Sequence, residues 1–177
     1  MTTALSNTAG SAPGAGAEYT RAILAALGDR DPFAVLAELV SSLETRLHSV
    51  PDDRLRRPEA PGKWSAIEVV QHLADSELAV GWRVRLILTQ ETPVLQPYDQ
   101  DAFARELGYR GIPLREAMAQ LDALRNANLR LYRSLSPAQM ARAGMHAERG
   151  RESVEHIIRM MAGHDIVHRR QLDRILR

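Results

Sequence analysis

Cysteine is absent from the chain, so no disulfide, thiolate metal site or cysteine nucleophile can form. Aromatic residues make up only 5% and β-branched runs are scarce, which counts against an extended sheet. No run approaches the ~18 apolar residues that a membrane span needs. Charge of one sign is missing too: 23 basic and 22 acidic side chains leave +1, with no global field to draw nucleic acid or an anionic membrane. Lys63 is the only lysine, and pairs such as Arg169-Arg170 read as solvated surface. The opening residues have neither a basic start nor an apolar core, so they do not read as a secretory signal. The expectation is a soluble, cytoplasmic protein with no nucleic-acid or membrane partner.

What is present favours helices. Apolar residues reach 45% of 177, dominated by Ala and Leu, enough for one domain with its own core. Residues 1–17, rich in Ala, Gly, Ser and Thr, are expected to form a disordered tail before a single domain over 18–177. After a short helix near Glu18–Leu27, Asp31 and Pro32 have the cap and first-turn chemistry of a helix running to about His48. Pro51, Pro58, Pro61 and Gly62 make 50–63 a connection. Ser65 and Glu68 form an S-x-x-E capping box, with Trp64 placed to staple against Val69, and this second helix can run to Gln90. The segment 91–111 has room for one short helix over 99–107. A third long helix follows from Pro113 to Ser134, then a turn at Ser136-Pro137, a loop over 144–151 and a last helix from Glu152 to Leu176. Four long helices predict an all-α, antiparallel four-helix bundle with short extra helices in its connections.

The histidines carry the chemistry. His164 and His168 lie within ~40° of each other on the last helix, on the apolar stripe of Ile157, Met160, Met161, Gln171 and Ile175. Residues four apart on a helix bring two imidazoles close enough to converge on one ion. His72 lies mid-helix on the second element, where a facing helix could add it as a third. On periodicity alone two readings stay open: three buried, hydrogen-bonded histidines, or one divalent metal site on His72, His164 and His168. His48, His146 and His156 lack the pattern and read as surface or local structural residues. The run from His164 through Asp165 to His168 is one methylene short of the H-E-x-x-H zinc-protease motif, and no further ligand follows it. Asp165 is therefore assigned to the surface or to supporting a ligand.

The stretch 62–77, Gly-Lys-Trp-Ser-Ala-Ile-Glu-Val-Val-Gln-His-Leu-Ala-Asp-Ser-Glu, resembles the second-helix signature of the DinB-like superfamily, most closely its YfiT-like branch. Glu91-Thr92-Pro93 with Pro97-Tyr98-Asp99 is similar to that branch's connecting loop, and His164-x-x-x-His168-x-x-Gln171-Leu172 to its last helix. The similarity runs from about Pro51 to the C-terminus. It implies an antiparallel bundle with an unusual crossover, a homodimer, and one divalent ion, nickel or zinc, on His72, His164 and His168. The branch contains proteins named as metal-dependent hydrolases and also bacillithiol S-transferases. Gln71 stands where relatives can carry a second histidine.

Three neutral imidazoles leave an ion's charge undiminished and positions open, which lowers the pKa of a bound water or thiol. The expected function is a low-molecular-weight-thiol transferase of the bacillithiol type acting in detoxification. The alternatives are a metal-dependent hydrolase and a non-catalytic metal-binding stress-response protein. A chain without cysteine must take its thiol from a small-molecule cosubstrate. Candidate supporting residues are Tyr98 and Asp99 on the loop, with Asp99 equally suited to cap the short helix after it, and Glu68 one turn from His72. Arg83 shares the His72 face but sits ~16 Å along the helix, too far to reach the metal and placed instead for a substrate carboxylate.

Overall fold

Gly28, at φ +59°, ends the first helix, α1 (Ala15–Leu27), in a left-handed turn that side chains rarely adopt. In this computed structural model, which describes residues 15–177, α1 begins three residues before the expected boundary; the rest of the expected tail, 1–14, lies outside the described residues. Asp31 accepts a hydrogen bond from the Phe33 amide at 3.0 Å and opens α2 (Pro32–Leu47). The proline-rich connection contains one turn, α3 (Asp52–Leu55). The Ser65–Glu68 capping box starts α4 (Ala66–Thr89), the Ser65 amide donating to the Glu68 carboxylate at 2.8 Å. Then come α5 (Gln100–Glu106), a 3-10 turn (Tyr109–Gly111), α6 (Leu114–Arg133) and α7 (Pro137–Ala141). Ser153 caps α8 (Val154–Ile175), accepting from the His156 amide at 3.1 Å.

The four long helices close a ring: α2 packs on α6, α6 on α4, α4 on α8 and α8 on α2, while α1 lies outside against α8. This is the all-α four-helix bundle the periodicity predicts. One feature was not expected. Val94–Leu95 (β1) pairs in parallel with Ala143–His146 (β2), which pairs antiparallel with Gly150–Ser153 (β3), so most of the expected loop over 144–151 is a hairpin. Strands this short carry no usable alternation, and β1 pairs with a strand some fifty residues away in sequence.

The core divides into two apolar blocks. On α4, residues Ala66–Ala74 feed one block and Val84 and Ile87 the other; on α8, Leu172 and Ile175 face the first and Val154–Ile166 the second. Between them runs a layer of buried polar side chains, including His72, Asp75 and Glu77 on α4, Arg125 and Asn128 on α6, and His164, Asp165 and His168 on α8. Residues Ala66–Glu77 are buried without interruption, because α6, α8 and the overlying connection cover α4 on every side.

Arg125 ties this layer together. Its guanidinium contacts Asp165 at 2.6 and 3.0 Å, Glu77 at 3.0 Å and the Leu36 carbonyl at 2.7 Å, joining α6 to α8, α4 and α2. Asp165 is fully buried rather than at the surface, because α8 turns it toward α6. Two carboxylates share one guanidinium here, and burial lifts the Asp165 carboxyl to about 6 against the pull of Arg125.

Candidate metal centre

α4 and α8 face each other with His72, His164 and His168 on the shared seam, all three more than nine-tenths buried. One ligand-capable atom from each lies within 4.8 Å of the others. The His164 Nε2 stands 3.1 Å from the Nε2 of His72 and 3.0 Å from that of His168. Burial and mutual repulsion push His72 and His164 well below the ordinary histidine pKa, and burial takes His168 to about 4. The three rings are therefore neutral near pH 7, the form that donates a lone pair.

The donor set fits a divalent transition metal. His168 Nδ1 donates to the Gln171 side-chain oxygen at 2.8 Å, so its proton sits on Nδ1 and its Nε2 turns a bare lone pair into the cluster. The Nδ1 atoms of His72 and His164 are sealed from solvent without a partner among the described residues, so the polar neighbours of these two rings all lie on the Nε2 side: each other, His168 and the Ser76 hydroxyl. Three Nε2 atoms at such separations repel unless a proton or a cation lies among them. The Trp64 ring packs on His72 with centroids 4.8 Å apart, adding a contact to the staple role expected of it.

A cavity opens on one side of the cluster, with about 670 Å³ of empty space partly continuous with solvent. His72, His164 and Ser76 form its floor; Ile157, Met160 and Met161 from α8 and Val80 from α4 make one apolar wall. The Ser76 hydroxyl lies 3.4 Å from His72 Nε2 and shares a hydrogen bond of 3.1 Å with the Tyr98 hydroxyl. Tyr98 thus stands over the site as the sequence suggests, and burial raises its pKa and keeps it protonated. Asp99 instead caps α5, accepting from the amides of Asp101 and Ala102 at 3.0 Å. Glu68 stays in the capping box and pairs with Arg110 at 3.3 Å, with no hydrogen bond to the three histidines.

Several cavity residues escaped the sequence. Tyr19 and Ile23 of α1 line it, and Gly163 of α8 lets α1 approach so closely that a Cβ there would overlap the Ile23 carbonyl oxygen. The β2–β3 hairpin delivers His146, Arg149 and Glu152. His146, expected at the surface or in a local role, is 2% exposed and lies against the cavity because β2 is the middle strand. No local period connects these segments to the histidines. Gln171 was visible on the His168 stripe, and its spacing of three from His168 was the available signal.

Residues 36–172 match the DinB superfamily. A relative in Oceanobacillus iheyensis, "Putative metal-dependent hydrolase OB0782", is 30% identical over 73% of this chain and 74% of its own. "Putative metal-dependent hydrolase YfiT" of Bacillus subtilis is 32% identical over 64% of each chain. The solved structure of YfiT, described as "a probable metal-dependent hydrolase with an unusual four-helix bundle topology", superposes with a TM-score of 0.74 at 28% identity. That superposition covers 81% of this chain and 84% of YfiT. With its bundle, its buried histidine cluster and this span of similarity, the chain belongs to the DinB superfamily.

Proposed function

We propose that this protein is a metal-dependent transferase that uses a small-molecule thiol of the bacillithiol type, with His72, His164 and His168 holding one divalent ion, nickel or zinc. The observation that carries this reading is the convergence of three neutral Nε2 atoms beside a cavity that His72 and His164 line and that has an apolar wall on one side. A divalent ion on three neutral imidazoles keeps its full charge and supplies the Lewis acidity that lowers the pKa of a thiol or water bound to it. Gln171 orients His168, and Trp64 packs on His72 so that its ring keeps its place. Ser76 and Tyr98 form a hydrogen-bonded pair of hydroxyls at the floor, able to pass a proton away from the reacting group. Met160, Met161 and Val80 exclude water from that wall and suit a soft sulfur nucleophile with an apolar electrophile. With no cysteine in the chain, the thiol is a cosubstrate.

The metal-loaded protein, given bacillithiol and monochlorobimane, tests this. Turnover above the thiol-only background supports thiol transfer, and none with any divalent metal removes it. The names of the relatives favour a second reading, hydrolysis of an ester or amide, which substrate panels on the same preparation test. Inactivity in both assays with metal bound leaves a non-catalytic metal-binding stress-response protein. A cytoplasmic homodimer is part of the proposal, supported by Leu78 and Trp82, one turn apart on α4 and more than half exposed. Sedimentation of a purely monomeric species at micromolar concentration removes the dimer.

A further inference from the structure

Two buried arginines and the partly buried Arg149 invite comparison, because a guanidinium out of water needs a partner of opposite charge. Arg125 has Glu77 and Asp165, and Arg149 has Glu152 in two contacts of 2.6 and 3.0 Å. Arg83 is 8% exposed, lines the same cavity as His72 and His164, and pairs with no carboxylate among the described residues. One of its five donors goes to the Gln96 carbonyl, and its plane rests near the Tyr98 ring, 5.7 Å from the centroid. Its Nε and Nη1 make no hydrogen bond among the described residues, yet they are not among the atoms sealed from solvent. They face open space that a ligand can fill.

The surroundings act on this charge from both sides. Arg149 is paired with Glu152, while Glu152 and the exposed Glu148 both favour the charged form of Arg83. Burial and Arg149 both work against the charged form of Arg83. A planar guanidinium held by Gln96 and Tyr98 offers a preorganised fork for a carboxylate.

We propose that Arg83 is a specificity residue that binds the carboxylate of the molecule whose other end reaches His72, His164 and His168. The substrate or cosubstrate is therefore a carboxylate carried on a spacer of several carbons, since the ~16 Å rise between Arg83 and His72 along α4 is bridged in part by their own side chains, which line one cavity. This rests on the metal-site reading above.

Cobalt-loaded protein tests it through the absorption change on thiol ligation, with 6-mercaptohexanoate and neutral 6-mercaptohexanol as probes. Wild type is expected to bind the carboxylate about tenfold more tightly, the worth of one charge-assisted contact. Arg83→Gln is expected to bring the two within about twofold while leaving mercaptohexanol affinity unchanged. An arginine that merely braces the Gln96–Tyr98 loop gives no such selectivity. Equal affinities in wild type overturn the proposal without any variant, as does a preference that survives in Arg83→Gln. Failure of wild type to take up cobalt overturns the metal site alone. Hexanoate then decides the fate of Arg83 in the metal-free protein: a melting-temperature rise in wild type but not in Arg83→Gln supports it, and no difference overturns it.

Discussion

Gln171 accepts a hydrogen bond from His168 Nδ1 at 2.8 Å, and that one contact determines which nitrogen of His168 faces the other two histidines. Replacing Gln171 with Leu removes the acceptor and leaves the ring free to change tautomer. Metal affinity is expected to fall about 10- to 100-fold, measured by competition with a chelator, while the melting profile of the metal-free protein stays close to wild type. Unchanged affinity would show that packing alone orients His168.

His164→Ala with His168→Ala removes two of the three converging nitrogens. Elemental analysis after equal metal exposure is expected to find bound metal in wild type and none in the variant. Equal content in both sinks the site.

Arg125 holds two buried carboxylates in place. Arg125→Met strands Glu77 and Asp165 without a cation, and denaturant unfolding is expected to show a loss of about 3–5 kcal/mol. Converting the partners as well, with Glu77→Gln and Asp165→Asn, should return a large part of that loss. A single variant as stable as wild type would contradict the keystone role.

Acid should weaken the fold through buried histidine. Burial and the nearby Arg149 hold His146 at about 4 in the folded chain, against 6.5 for the free side chain. The unfolded chain therefore binds more protons between about pH 6.5 and 4, so stability present near neutrality is lost as pH falls through that window. In His146→Gln the slope there should become shallower by up to ~1.4 kcal/mol per pH unit, measured by urea unfolding at several pH values. An identical slope would mean that His146 protonates as readily in the folded chain.

α1 is seated on Gly163. Gly163→Ala places a methyl group against the Ile23 backbone, and a loss of about 1–3 kcal/mol is expected with α1 lifted from α8. Faster tryptic cleavage after Arg21 would report it, and wild-type resistance would count against the close packing. Tyr19 and Ile23 move with the helix, so the cavity changes as well.

Local chemistry was legible in the chain itself. Asp31, and Ser65 with Glu68, are signals that act within four residues, and each helix start they mark is found there. The spacing of His164 and His168 follows from the helical repeat, and His72 could be named because a bundle offers few helices for it to face. What tertiary structure alone decided is everything that depends on two distant segments meeting. The β2–β3 hairpin brings His146 and Arg149 to the cavity, α1 closes its side, and the single guanidinium of Arg125 gathers carboxylates from two other helices. Asp99 shows the same boundary from the other side: its sequence allowed both a cap and a ligand support, and the fold spent its oxygen on the α5 amides. Short-range hydrogen bonds and helical periodicity are properties of neighbouring residues. The partner of a buried charge, or the absence of one at Arg83, is settled only when the helices pack.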